Sequence, residues 1–173
     1  MKKAIITGGT GFVGSNICKK LLRENWEVYV IAKKEFGYEN VKDIKNRLNI
    51  LEYNGDIFKL IEWFKIINAD TVFHLASLFI SEHKNKDVYE LINSNLLFGT
   101  QVLEAMKESG TLKIINTGTS WQHYNNETYN PVCLYAATKE AFEKLLEYYI
   151  NAENFRAITL ELFDTYGESD KRK

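Results

Sequence analysis

The 173-residue chain carries 22 Lys and Arg against 23 Asp and Glu, a formal net charge of -1. That balance, with a sequence pI of about 6.3, removes any bulk electrostatic ground for binding nucleic acid or an anionic membrane surface. A composition of 45% hydrophobic and 13% aromatic residues excludes wholesale disorder, and the length suits one domain with a substantial core.

KAIIT (Lys3 to Thr7) is an apolar run stopped by glycine and reads as a buried strand. The turn TGGTGFVG follows. It opens a helix, FVGSNICKKLLREN, with Phe12, Val13, Ile17, Leu21 and Leu22 on one face and Asn25 as its end. EVYVIA (Glu27 to Ala32) and RLNILEYN (Arg47 to Asn54) are the next strands, separated by a polar stretch of undefined structure. IFKLIEWFKII (Ile57 to Ile67) has helical periodicity, and TVFHLAS (Thr71 to Ser77) is a fourth strand. A long helix is predicted between Asp87 and Glu108, then the strand LKIINTG (Leu112 to Gly118). A helix from Tyr135 to Tyr149, with Ala141, Phe142, Leu145 and Leu146 inward, and the strand RAITLELF (Arg156 to Phe163) complete the series. Six strands alternating with helices predict an α/β fold, a Rossmann-type doubly wound parallel sheet with helices on both faces.

Cys18 and Cys133 lie far apart and predict a reduced, cytoplasmic chain. His74, His83 and His123 share no metal-ligand spacing, so no metal is expected. The five-residue apolar start is too short for a signal peptide core or a membrane span.

The glycine turn reads in two registers, Gly9-Gly11-Gly14 or Thr7-Gly8-Gly11-Gly14. In either, glycine permits a tight bend and close approach of backbone to a pyrophosphate, and the helix N-terminus offers N–H groups and a positive dipole. Between strand and helix, such a turn points to a dinucleotide. A Walker-type loop has no support, because no Gly-Lys-Ser/Thr follows. The second strand ends in Ala32, Lys33 and Lys34, with Glu35 only after both lysines. Basic residues there suit a 2′-phosphate, so NADP(H) is favoured over NAD(H).

LYAATKEAFEKLLEYY places Tyr135 and Lys139 four residues apart, on one helical face. The neighbouring ammonium is expected to pull the phenol below its usual value and make it a proton-transfer group near neutral pH.

Together these residues resemble the extended branch of the short-chain dehydrogenase/reductase superfamily, whose T-G-x-x-G-x-x-G selects the Thr7 register. Further matches are GDI with Asp56, HLAS with Ala76, NTGTS with Ser120, YAATK as Y-x-x-x-K, and LFDTYG. The resemblance implies a catalytic set of Ser120, Tyr135 and Lys139. The implied cofactor contacts are Thr7, Gly8, Gly11, Phe12, Val13, Gly14, Ala32, Lys33, Lys34, Asp56, Ile57, Leu75, Ala76 and Asn95, together with Tyr135 and Lys139. Gln122 and His123 are expected either at the sugar or in a loop role.

Two departures narrow it. The usual N-V-x-G-T is here NLLFGT, which shifts Gly99 and Thr100 relative to Asn95. Where 4,6-dehydratases carry Asp-Glu, Trp121 and Gln122 follow Ser120; neither exchanges a proton near neutral pH, which disfavours water elimination. The run from Asn116 to Glu143 looks most like CDP-abequose/CDP-paratose synthase-type proteins. The resemblance therefore implies an NADP(H)-dependent nucleotide-sugar oxidoreductase acting on a 4-keto-6-deoxyhexose, with a 4-epimerase or a non-catalytic dinucleotide-binding module as alternatives. It also implies a nucleotide-sugar partner and a homodimer through Asn95 to Met106 and Tyr135 to Tyr149, with Phe98, Phe142, Tyr148 and Tyr149 either contacts of that dimer or core residues. Residues 1-173 read as the NAD(P)-binding domain, without the family's substrate lobe.

Overall fold

The computed structural model describes residues 1–33, 35, 37–168 and 170. Strands β1 (Lys3–Thr7), β2 (Glu27–Ala32), β3 (Asn49–Glu52), β4 (Thr71–His74), β5 (Lys113–Thr119) and β6 (Arg156–Leu162) form one parallel sheet in the order β3-β2-β1-β4-β5-β6. The helices are α1 (Phe12–Arg23), α2 (Ile57–Ile67), α3 (Val88–Ile92), α4 (Phe98–Ser109) and α5 (Leu134–Glu153). Strand order reverses between β1 and β4, so the crevice beyond their C-terminal ends is where a sheet of this kind binds ligands.

Both sheet faces are covered, which is why the central strands are apolar throughout. Ile5, Val72 and Ile114 pack against Phe64 of α2, Leu103 of α4 and Phe142 of α5. Ala4, Ile6, Val28 and Val30 pack against Cys18, Leu21 and Leu22 of α1. Each large side chain buried this way contributes roughly 1.5–3 kcal/mol. The doubly wound fold is thus as expected, and β1, β2 and α2 keep their predicted bounds.

Several local features differ from expectation. The buried face of α1 runs through Gly14, Cys18, Leu21 and Leu22; Phe12 and Val13, in its first turn, instead line a cleft. In α5 the buried side chains are Ala136, Thr138, Lys139, Phe142, Leu146 and Tyr149, while Ala141 and Leu145 are exposed. Of the residues expected at a helical dimer contact, Phe142 and Tyr149 belong to the core, Phe98 packs against it half-buried, and Tyr148 is exposed.

The predicted long helix is broken by a π-helical turn, Asn93–Leu97, between α3 and α4. Its wider spacing turns Asn95 inward to 4% exposure. Gly99 then faces the Phe142 ring so closely that a Cβ there would lie 2.4 Å from Cε2.

The polar stretch after β2 holds two short 3₁₀ turns, Glu39–Val41 and Lys45–Arg47. Val41 and Ile44 join the core, and Asn40 Nδ2 donates to the Thr10 carbonyl at 2.9 Å, fixing the glycine turn from outside.

Candidate functional site

The glycine turn is shaped by backbone contact. Gly8 has φ +69 and stands against the Leu75–Ala76 backbone; a Cβ there would lie 2.7 Å from the Ala76 nitrogen. Gly14 is tighter still, with an added Cβ 2.2 Å from the Gly8 carbonyl oxygen. The turn can therefore close only with glycine at both positions, and the first turn of α1, capped by no side chain, is held against it.

Thr7 locks this turn to β4. Its Oγ1 accepts from the Leu75 and Ala76 N–H groups at 3.2 Å each and lies 2.9 Å from His74 Nδ1. With two N–H donors already on the oxygen, the hydroxyl hydrogen goes to Nδ1, and His74 carries its own proton on Nε2. Burial, with the nearby Lys139 charge, pushes His74 down to about 3, so the ring is neutral and can accept. Thr7, expected among the cofactor contacts, thus spends its side chain on the fold.

Two cavities meet across this turn. The larger, about 590 Å³, is lined by Gly11, Phe12, Val13, Ser120, Tyr135 and Lys139, and by Phe163 and Asp164 just after β6. The smaller, about 330 Å³, is lined by Ala32, Lys33, Asn40, Tyr53, Ala76 and Phe98. Gly8, Gly11, Leu75 and Ser77 line both. Leu75 to Ser77, predicted as strand, leave β4 to form this shared wall. Lys34 lies outside the described residues.

Tyr135 and Lys139 lie one turn apart on α5, with Ser120 opening the 3₁₀ turn after β5. Lys139 is 5% exposed, and its amine forms no hydrogen bond or ion pair among the described residues. Burial pushes it down to about 8, with the Glu143 carboxylate pulling the other way. The Tyr135 phenol is held above its usual value by burial, while the nearby Ser77 hydroxyl pulls it down. The direction is thus opposite to the lowering expected from Lys139: in the free protein the loss of hydration dominates.

Some predicted site residues stand elsewhere. Gln122 is 0% exposed; its Oε1 accepts from the Thr119 N–H at 2.8 Å and its Nε2 donates to Glu140 and Glu143 at 2.9 and 3.0 Å. His123 Nδ1 is 2.8 Å from the Thr128 carbonyl and Nε2 is 3.1 Å from Glu161. Both side chains face a polar network behind the cavity, because the 3₁₀ turn directs Ser120 and Trp121 into the cleft and Gln122 away from it.

Asn95 has all four amide positions taken: Oδ1 accepts from Leu78 N–H and Ser77 hydroxyl, and Nδ2 donates to the Leu78 carbonyl and Thr138 hydroxyl. It staples the wall to α5 and has nothing left for a cofactor. Asp56 caps α2, one carboxylate oxygen accepting from the Phe58 and Lys59 N–H groups, and neither Asp56 nor Ile57 lines the two cavities.

Sequence reasoning missed Ser77, Phe79, Asn40 and Tyr53. Ser77 follows Ala76 directly and was within reach of the HLAS motif; Asn40 carries no signal in a polar stretch. Phe79 packs edge-on to Tyr135 and Trp121, with ring centroids 4.9 and 5.5 Å apart. Among the described residues, no group of three or more His, Cys, Asp or Glu is placed to hold a metal ion, and no helix is long and apolar enough to cross a membrane.

The strand order, the backbone-tight glycine turn at the switch point and the cleft above it define a Rossmann-type fold. The profile of the NAD dependent epimerase/dehydratase family matches residues 4–173, and the chain belongs to that family. It is 25% identical over 171 residues to a CDP-abequose synthase of Yersinia pseudotuberculosis, covering 98% of this chain and 58% of that one. A UDP-glucose 4-epimerase of Lactobacillus helveticus is 22% identical over 178 residues, covering 96% and 53%. Among solved structures, the UDP-glucose 4-epimerase of Thermus thermophilus in complex with NAD matches with a TM-score of 0.78 at 25% identity, covering 92% of this chain and 54% of that one. The chain thus spans little more than half the length of the curated relatives it matches.

Proposed function

We propose that the chain is the cofactor-binding part of an NADP(H)-dependent nucleotide-sugar oxidoreductase that reduces a 4-keto-6-deoxyhexose. The observation that carries this reading is Lys139, a buried lysine that lines the cavity beginning at the glycine turn, one helical turn from Tyr135. The cleft fits a dinucleotide: the turn packs so tightly that a Cβ at Gly8 or Gly14 would collide with backbone, leaving the N-terminal end of α1 open to a phosphate.

Gly8, Gly11 and the start of α1 would hold the pyrophosphate, and Lys33 beside Ala32 would meet a 2′-phosphate. When bound, the cofactor supplies the hydride. Tyr135 gives its proton to the keto oxygen, and Ser120 donates a hydrogen bond to the same oxygen. Lys139 bonds the ribose and, when protonated, favours the phenolate that Tyr135 leaves behind. A phenol held above its usual value by burial keeps its proton near neutral pH, which suits the reducing direction.

A 4-epimerase is the second reading, favoured by the likeness to the Thermus thermophilus 4-epimerase with NAD. The assay supplies NADPH and a nucleotide-linked 4-keto-6-deoxyhexose. Oxidation of NADPH in step with loss of the ketone is expected. In a parallel assay with NAD and a nucleotide-linked 4-hydroxy hexose, interconversion of the 4-epimers without net change of cofactor would replace this reading with the second, and cofactor binding with neither reaction would leave a dinucleotide-binding module.

A further inference from the structure

Two aromatic rings of the larger cavity, Trp121 and Phe79, have no part in the proposed chemistry. Trp121 directly follows Ser120, and its backbone is held on both sides: the N–H donates to Thr119 Oγ1 at 3.4 Å and the carbonyl accepts from the Val132 N–H at 3.1 Å. Phe79 comes from the loop after β4 and packs against both Trp121 and Tyr135, its ring inclined 66° to the first and 86° to the second. Each ring thus meets the next edge to face, which sets the wall before anything binds. Phe79 is still 57% exposed, so the wall keeps a free surface. Neither ring lines the smaller cavity, where Ala32 and Lys33 stand; both belong to the cavity of Ser120 and Tyr135.

A hexose whose C4 oxygen rests between Ser120 and Tyr135 carries its C5 substituent on the neighbouring carbon. The side chains flanking those two residues are the ones that substituent meets: Trp121 beside Ser120 along the chain, and Phe79 beside Tyr135 in space. Charge restricts it further. Among the described residues lining this cavity the one cation is Lys139, set against Asp164 and Asp170. A C6 carboxylate would therefore meet aromatic rings and like charge in place of a partner. A C6 hydroxyl would lose its water against an apolar wall. A methyl group has no such cost.

We propose that Trp121 and Phe79 are specificity-determining residues that seat a methyl group on C5 of the sugar, so that the cavity selects a 6-deoxyhexose over its 6-hydroxy and 6-carboxylate counterparts. This assignment rests on the reading of the cleft as a nucleotide-sugar oxidoreductase site. An apolar wall rejects an added hydroxyl by at most about 100-fold, and it rejects a charge more strongly.

The test is calorimetric titration of the chain saturated with NADP, using sugars that differ only at C6. The probes are the 6-deoxy, 6-hydroxy and 6-carboxylate forms of glucose, in a CDP-linked and a UDP-linked series, and no turnover is required. The 6-deoxy sugar is expected to bind about 10–100-fold more tightly than the 6-hydroxy sugar, with the 6-carboxylate weaker than both. Trp121→Gln, which offers an amide to the hydroxyl, is expected to reduce that ratio by about tenfold, and Trp121→Phe to keep it. A role confined to holding the fold would weaken all three sugars together and leave the ratio in place. An unchanged ratio in a Trp121→Gln chain that still binds NADP would overturn the assignment, as would equal affinities in the wild type or no affinity for any sugar of either series. Failure of the wild type to bind the cofactor would instead overturn the reading beneath the assignment, and the assignment with it.

Discussion

Replacing Gly14 by alanine is expected to destabilise the domain by about 2–4 kcal/mol and to abolish cofactor binding. Intrinsic helix propensity argues the other way, since alanine is favoured over glycine in a helix by about 0.8–1.0 kcal/mol. Contact decides it. The new Cβ would stand 2.2 Å from the Gly8 carbonyl oxygen, 2.7 Å from the Gly9 Cα and 2.8 Å from the Gly8 carbonyl carbon. All three are backbone atoms of a turn pinned by Thr7, His74 and the Leu75–Ala76 backbone, so no side chain can swing aside. Relief requires α1 to lift off the turn, which spreads the N–H groups meant for phosphate. Gly11→Ala is the comparison, because its Cβ would meet only the Gly8 oxygen at 3.3 Å. Thermal melts should show a loss of several degrees for Gly14→Ala and a far smaller one for Gly11→Ala. Equal melting temperatures would refute the contact argument.

Lys139→Met is expected to stabilise the free protein while weakening cofactor affinity by about 10–100-fold, the worth of a charge-assisted hydrogen bond. The wild-type side chain is almost fully buried, and methionine replaces it with little change of volume. Burial lowers its pKa to about 8, so below that pH the folded state carries a charge that is better solvated in the unfolded chain. From the ordinary lysine value this amounts to about 3 kcal/mol at most, with order-of-magnitude precision. The sign follows from proton counts. Between about pH 8 and pH 10 the unfolded chain binds more protons at this lysine than the native state, so wild-type stability rises with pH across that window. Above it, phenols pushed up by their surroundings, such as Tyr53 at about 12 from burial, pull in the opposite direction. Denaturant melts from pH 7 to 10 should show the rise in the wild type and its absence in Lys139→Met. A variant less stable than wild type at pH 7, with the same rise, would show that Lys139 is held by partners rather than left unpaired.

How much of this was readable beforehand depends on whether the signal is local. Gly8, Gly14, Tyr135 and Lys139 announce themselves because their chemistry sits within one turn of chain, and strand and helix on either side of the glycines fix their context. The periodic elements β1, β2 and α2 were legible to their ends for the same reason. The π-helical turn left one trace, the extra residue of NLLFGT that displaces Gly99 and Thr100 from Asn95, but a helix gaining one residue in a turn leaves the apolar pattern nearly unchanged, so a continuous helix was read there. Thr7 and Asn95 looked like cofactor contacts because their motifs stand beside the cleft, yet their hydrogen bonds are consumed by residues 67 to 69 and 17 to 43 positions away. Gln122 and His123 follow Ser120 in sequence, but a 3₁₀ turn separates their directions. Alternation along a chain does not reveal where a short turn points.

Calorimetric titration of the chain with NADPH and with NADH tests the central claim most directly. NADPH is predicted to bind more tightly than NADH, with the difference lost in Lys33→Ala and affinity for both reduced in Lys139→Met. Binding of neither cofactor by the folded chain would contradict the assignment of this cleft.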